Sequence, residues 1–420
     1  MEIRKPKILI LSAYDVGGAS IAAIRLHLGL LKLGLNSKLL TLHKTSSNIP
    51  EHYQYQYSGS WKEKVFLKLR QRNEHKQKSS LELLEKGSLS GEFSMPIASY
   101  DITTNPLWEW ADVINLHWVN EWISLENLLA KAGNKKLVWT MHDMHVFTGG
   151  CHYSHGCEGF RYECKNCPML QNSNMPQMAH QFWKTKISTL KLNKPSLTIT
   201  SPSSWMAKLV GLSSLLKDFK SFTIPNSLDT NIFKPIPTTQ SREVLHLPTH
   251  KIVLLTVIQS LKDKRKGFQI LLDALIHLPN PERFVLCTVG SLKEAIPTIK
   301  IEHIHLGSLV DERLMAMVYN SADMLVHPAV EDNLPNVVVE SLCCGVPVVG
   351  FNIGGMSEMV TTRDNGFLSE EINPKVLAQS ILTLAGLKLS KLEISQSAHL
   401  KYALEVQAKA FQKLFDTILA

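Results

Sequence analysis

No stretch of about 18 apolar residues occurs in this 420-residue chain, so nothing in it reads as a bilayer-spanning helix. The apolar run Lys7–Tyr14 is too short, and too soon interrupted by Asp15, for a secretory signal. Aromatics make up only 7%, and Gly (22) and Pro (19) are at ordinary usage, which excludes disordered and fibrous classes. There is no repeat of solenoid period. No interleaved basic–aromatic stacking motif is present, so nucleic acid is not an expected partner. The seven cysteines are an odd number, and Cys287, Cys343 and Cys344 lie in apolar segments suited to reduced core thiols. A cytoplasmic protein is expected.

What is present is enough for two or three cores: 44% of residues are hydrophobic and 20% charged. The formal net charge of +8 favours anionic partners and by itself leaves nucleotide phosphate, nucleic acid and an acidic membrane surface open. Residues 61–78 form a basic, partly amphipathic block that reads as a solvated helix, a loop, or a peripheral contact with anionic membrane.

Short β-rich runs alternate with helical patterns. Strands are expected at Lys7–Tyr14, Lys38–His43, Val113–Val119, Leu137–His142 and Leu197–Ser201. A second series is expected at Ile252–Val257, Phe284–Val289, His303–Leu306, Met324–His327 and Val346–Phe351. Helices are expected at Ile21–Leu33, Gly267–Leu278, Glu312–Tyr319 and Lys375–Leu384. Near-continuous Val/Ile/Leu strands followed by helices imply α/β architecture with parallel sheets covered on both faces, in two doubly wound domains. The join is expected between Ile224 and Pro248. In the final segment, Tyr402–Leu419, Leu404, Ala408, Phe411, Phe415 and Ile418 recur at helical spacing and read as core contacts.

The most informative stretch runs from His327 through Glu331, Asp332, Asn333, Leu334, Pro335 and Asn336 to Glu340 and Gly345, and on to Gly354-Gly355. It reads as a strand end, an acidic loop, a helix mouth and a second glycine turn. Carboxylates there can accept hydrogen bonds from vicinal hydroxyls, and a helix N-terminus offers N–H groups to phosphate. Asp15-Val-Gly-Gly-Ala19 also joins a strand to a helix, where Gly17 and Gly18 let backbone approach a ligand closely. His142 and His117 close two further strands, at the end where open α/β sheets bind ligands. Lys264-Arg-Lys-Gly267 follows the strand Ile252–Val257.

The string 327–355 resembles the signature of the retaining glycosyltransferases of family 4 (glycosyl transferases group 1). It is most similar to the branch with a Glu-Asp-Asn-Leu-Pro-Asn loop, found among bacterial capsule, O-antigen and exopolysaccharide enzymes. The resemblance implies the GT-B fold: two facing Rossmann-like domains with an active-site cleft between them. The expected domains are 1–225 on the acceptor side and 226–400 on the nucleotide-sugar side, with a helix 401–420 crossing back.

By resemblance, Asp332 contacts the donor sugar and Glu340 the ribose. Lys266 binds the donor pyrophosphate, and His142 contacts the sugar near the reacting carbon. Catalytic roles thus fall to His142, Asp332 and Lys266. Donor binding falls to Gly17, Gly18, Arg265, Lys266, Glu331, Asp332, Asn333, Leu334, Glu340, Gly354 and Gly355. Most members have Glu where Asp332 stands, with Glu331 one step out of register. They also carry Arg five residues before the Lys, where this chain has Leu261; Arg265 is the substitute expected. Ser227 stands where the family's hinge has Gly.

The implied reaction is retaining hexosyl transfer from a UDP- or GDP-sugar to a growing, lipid-linked glycan at the inner membrane face. It needs no metal, since the diphosphate-chelating Asp-x-Asp motif is absent. Alternatives on the same architecture are a sugar-nucleotide epimerase, a phosphorylase, or a degenerate glycan- or nucleotide-binding protein.

Cys151, Cys157, Cys164 and Cys167 fall within 149–168, a cysteine-rich insertion. Four thiols with one Cys-x-x-Cys suit either a closed structural zinc site or a knob of packed, reduced thiols.

Overall fold

The computed structural model describes residues 5–56, 61, 65, 68, 92–94, 100–120, 122–123, 125–171, 173, 175–192, 197–258, 263–291, 296–297 and 299–420. Most of the basic block 61–78, and Leu261, lie outside these. The chain forms two compact units, Met1–Pro225 with Gln407–Ala420, and Asn226–Val406.

The first unit is built on seven parallel strands: β1 (Lys7–Ser12), β2 (Asn36–Thr41), β3 (His52–Gln54), β4 (Val113–Leu116), β5 (Lys136–Thr140), β6 (Leu197–Ser201) and β7 (Ser221–Thr223). Their order is β3-β2-β1-β4-β5-β6-β7. Because side chains alternate along a strand, Ile8 and Ile10 face one apolar layer while Leu9 and Leu11 face the other. The first layer holds Leu26 and Leu30 of the helix Gly18–Lys32, together with Ala408, Phe411, Leu414 and Phe415. Those last four lie on the helix Leu404–Leu419 at the expected spacing, so its apolar stripe is core.

The second unit has six parallel strands: β8 (Ile252–Ile258), β9 (Phe284–Gly290), β10 (Glu302–His305), β11 (Met324–His327), β12 (Val348–Phe351) and β13 (Gly366–Ser369). Their order is β10-β9-β8-β11-β12-β13. Val253, Leu255 and Leu325 face one layer, and Leu254, Met324 and Val326 the other.

Ten strands form where the apolar runs place them, with ends exact or shifted by up to three residues. β3, β7 and β13 carry no such run. All three are sheet edges, where a strand has one neighbour and needs less apolar cover. The division between units falls at Pro225, and the residues up to Pro248 belong to the second unit rather than to a linker. Leu228 and Phe233 are buried in its core, and the buried Arg242 donates to the Ser321 carbonyl and to Asp323 at 2.9 and 2.6 Å. Ser227 is buried, and the next residue, Leu228, pairs in parallel with Ala403.

Candidate functional site

In each sheet the chain runs outward to one edge and then returns to the other side of its first strand. The order therefore reverses between β1 and β4 in the first unit, and between β8 and β11 in the second. At such a switch point the loops leaving the strand ends part and open a crevice, the usual ligand position in open parallel sheets.

At the second unit's switch point three sequence-distant segments meet. After β8, Asp263 accepts the Arg265 amide and starts a tight turn, Lys264–Lys266, that ends on Gly267 at φ 66°. A Cβ on Gly267 would stand 1.8 Å from the Pro328 carbonyl oxygen, so the turn is pressed onto the loop after β11. The Val330 amide donates to the Arg265 carbonyl at 2.8 Å, completing that seam. Gly354, at φ 53°, lies as close to the Asp332 carbonyl oxygen: a Cβ there would be 1.6 Å away. Both glycines are needed for left-handed backbone and for space.

The seam delivers Asp332 to its partners. Lys266 Nζ donates to Asp332 Oδ2 at 2.7 Å; Arg265 Nη1 is 3.8 Å and His327 Nε2 3.4 Å from the same oxygen. Burial by itself would raise the Asp332 carboxyl, but Lys266, His327 and Arg265 outweigh it and hold it well below the usual carboxylate range. Burial lowers His327, so Asp332 stays the anion and His327 stays neutral. The Lys266 side chain is 30% exposed and the Asp332 side chain 9%, so the cation's side chain is the more accessible of the two. Arg265 also donates to the Glu331 carbonyl at 2.9 Å.

Of the two adjacent acids, Asp332 is buried, whereas Glu331 is half-buried. Asn333 and Leu334 are buried behind it. The helix Asn336–Cys343 then opens with no side-chain cap and no acidic residue in its first turn. Within it, the buried Glu340 accepts the Tyr319 hydroxyl at 2.7 Å. Gly355 starts the short helix Met356–Met359, and its amide donates to the Asp332 carbonyl at 3.3 Å. Every donor-site residue expected in this half of the chain thus belongs to one switch point or to the helix beside it.

In the first unit, the loop after β1 carries Gly17 at φ 91°, capping the helix Gly18–Lys32 without a side-chain hydrogen bond. Asp15 accepts from the Thr45 amide and hydroxyl and the Ser46 amide, each at 2.7 Å, tying that loop to the segment after β2. His117 leaves β4 and His142 follows β5; His117 Nδ1 and His142 Nε2 share a hydrogen bond of 2.8 Å. Burial lowers both rings, His142 to about 4 and His117 well below its ordinary value, so both are neutral at physiological pH. Buried His117 Nε2 has no hydrogen-bond partner among the described residues.

Next to this pair is an arrangement that no sequence motif announced. Asp143 Oδ2 meets His152 Nδ1 at 2.7 Å, and His152 Nε2 meets Ser94 Oγ at 2.7 Å. The order is that of a nucleophilic triad, but Ser94 is buried and its amide bonds the Gly150 carbonyl, so the relay pins the cysteine-rich insertion. Spacing conceals it because its members are 49 and 9 residues apart. The buried Lys186, also unannounced, donates to the carbonyls of His145 and Thr148 at 2.5 and 3.0 Å. Burial raises the Cys151 and Cys164 thiols to about 12 and 11, so neither is an available nucleophile.

Residues 252–386 match the family described as Glycosyl transferases group 1. The chain is 26% identical over 401 residues to the putative colanic acid biosynthesis glycosyl transferase WcaC of Escherichia coli K12, covering 91% of this chain and 89% of that one. Among solved structures it is similar to HepE of Anabaena in complex with UDP and glucose (TM-score 0.62, 16% identity, 98% and 100% covered). It is also similar to WaaG, a glycosyltransferase involved in lipopolysaccharide biosynthesis (TM-score 0.61, 14% identity, 96% and 98% covered). With its two parallel Rossmann-like sheets the chain has the GT-B fold, and its residues 252–386, which include the Lys266–Asp332 switch point, match the Glycosyl transferases group 1 domain.

Proposed function

We propose that this chain transfers a sugar from a UDP- or GDP-sugar, with retention at the reacting carbon, to a growing, lipid-linked cell-surface glycan. The observation that carries the reading is the meeting of Lys266, Arg265 and Asp332 at the second unit's switch point, with the carboxylate buried and the Lys266 side chain the more accessible. An ammonium has three N–H donors, and Asp332 takes one; the others are assigned to a diphosphate. Arg265 stands beside it with a planar fork suited to phosphate oxygens.

In this reading the sugar–phosphate bond breaks first and the charge collects on the leaving diphosphate. Lys266, Arg265 and the uncapped mouth of the helix Asn336–Cys343 stabilise that charge, which is the main electrostatic task of the reaction. The acceptor hydroxyl then attacks from the face the diphosphate has left, and a leaving phosphate oxygen takes its proton. The new glycosidic bond keeps the donor's configuration. Asp332 is placed to accept sugar hydroxyls, and Glu340 the ribose hydroxyls. His142, neutral and held by His117, is assigned the sugar side, and the Gly17–Gly18 loop a phosphate or acceptor contact. No divalent ion is needed, because two cations already face the diphosphate.

A polysaccharide acceptor is supported by the roles printed for WcaC and WaaG, and a UDP-sugar by HepE, which has been solved with UDP-glucose. No described helix is long and apolar enough to cross a membrane. Peripheral attachment through the basic block at the cytoplasmic face is part of the proposal.

The test is to incubate the chain with UDP- and GDP-sugars, a membrane-lipid acceptor fraction and EDTA, and to follow the products by NMR. Transfer in EDTA with the donor's anomeric configuration preserved supports the reading. Inverted product, or activity restored only by Mg²⁺ or Mn²⁺, contradicts it. Isomerised nucleotide-sugar formed from donor alone would favour the epimerase instead.

A further inference from the structure

The cysteine-rich insertion takes no part in the chemistry above, yet its construction is specific. Cys151, Cys157, Cys164 and Cys167 all line one small cavity with Phe93, Phe160 and Ala179. Its free volume is about 20 Å³, room for roughly one water-sized sphere. The backbone around it is unusual: Cys164 and Asn166, flanking the Cys-x-x-Cys turn, have φ of 49° and 52°. Gly149 and Gly150 are packed too tightly to carry a Cβ, which would fall 2.4 Å from the Ala179 carbonyl oxygen and 2.5 Å from the Phe93 ring.

Two of the four sulfurs also face a backbone donor. Gly149 N–H donates to Cys164 Sγ at 3.1 Å and Gly159 N–H to Cys157 Sγ at 3.4 Å. The Leu170 amide donates to the Cys167 carbonyl at 3.0 Å and the Thr148 hydroxyl to the Cys151 carbonyl at 2.6 Å, which ties the backbone of the other two. A thiol sulfur is a weak acceptor, whereas a thiolate is a strong one, so the two backbone donors would serve these sulfurs best once a bound metal ion had deprotonated them. A buried cation completes the set. Lys186 lies within electrostatic range of Cys151, Cys164 and Asp143.

We propose that Cys151, Cys157, Cys164 and Cys167 bind one structural zinc ion, with Lys186 offsetting the thiolate charge. As the side chains stand, no three described His, Cys, Asp or Glu residues are gathered closely enough to hold an ion. Binding therefore turns the thiols inward about χ1, within a cavity whose backbone already carries the turns and donors. Four protons pass to solvent as the four Zn–S bonds form. The sulfur-only donor set selects zinc or an iron–sulfur cluster, and a space for one sphere admits a single ion but not a cluster. The site is coordinatively closed, so the ion holds the insertion behind His142 and Asp143 and takes no substrate.

The test is metal analysis of the whole chain purified without added metal or chelator, with a thiol count. The expected result is about one zinc per chain, ejected by an organomercurial and captured by a chromophoric chelator. Replacing Cys164→Ser with Cys167→Ser should cut retained zinc by roughly tenfold or more, while Cys287→Ser leaves it unchanged. Should the double variant fail to fold, mercurial-triggered release from the wild-type chain decides. Seven free thiols without metal, disulfides among the four cysteines, or iron with sulfide would each overturn the proposal.

Discussion

Lys266 and Asp332 share one hydrogen bond but have opposite duties in the proposed reaction, and substitutions separate them. Lys266→Ala removes the cation facing the diphosphate, so both nucleotide affinity and kcat should fall, kcat/KM by roughly 10²-fold or more. Asp332→Asn keeps size but removes a negative charge beside the phosphate site. It should lower kcat while leaving nucleoside diphosphate affinity equal or tighter, read by calorimetry next to turnover. Equal loss of affinity in both variants would place Asp332 on the phosphate rather than the sugar.

The histidines make a separate, pH-dependent prediction. His142 is held at about 4 and His117 is also depressed, against an ordinary value of 6.5. Between those values the unfolded chain binds more protons than the folded one. Stability from keeping these rings neutral is complete above pH 6.5 and is lost as pH falls toward 4. The unfolding midpoint should drop across that window, and His117→Gln should flatten the drop; an unchanged slope would refute it. Asp332 acts in a different window, its contribution lost only as pH falls through its own lowered value.

At this scale the sequence was legible where chemistry is local. The acid at 332, the basic turn at 264–266 and the second glycine pair are all readable in one dimension. That Asp332 rather than Glu331 is buried, and that Arg265 reaches toward it, depends on packing of segments 66 residues apart and carries no local signal.

Elements succeed or fail by where they lie in a sheet. Central strands such as β1 and β8 are covered on both faces, so they are written as unbroken apolar runs and are legible. The edges β3, β7 and β13 are held by one neighbour each and read as ordinary loops. The glycine turns are legible as turns, but not as spacers between particular segments. Gly354→Ala places a methyl into the Asp332 carbonyl and forces left-handed backbone on alanine, costing at least about 1 kcal/mol. The site should suffer more than the fold: the variant should stay folded by circular dichroism with transfer reduced well beyond the change in melting temperature. Wild-type turnover in Gly354→Ala would mean that the seam between Gly354 and Asp332 does not position the carboxylate.

For the whole molecule, two apolar cores flank each sheet, and the C-terminal helix contributes Phe411 and Phe415 to the first unit although its neighbours in sequence belong to the second. The stripe itself was legible from its spacing; its destination depends on the fold closing around it. The same holds for the function. Composition alone left phosphate, membrane and nucleic acid open, and the resemblance of the string 327–355 to the group 1 glycosyltransferases is what leads to the proposal of a nucleotide-sugar donor. Calorimetric titration of the whole chain with UDP and GDP in EDTA, beside Lys266→Ala, tests this account most directly. One nucleoside diphosphate should bind at micromolar level, weakened at least about tenfold in the variant. No binding of either, or equal binding by both proteins, would contradict a donor site at Lys266.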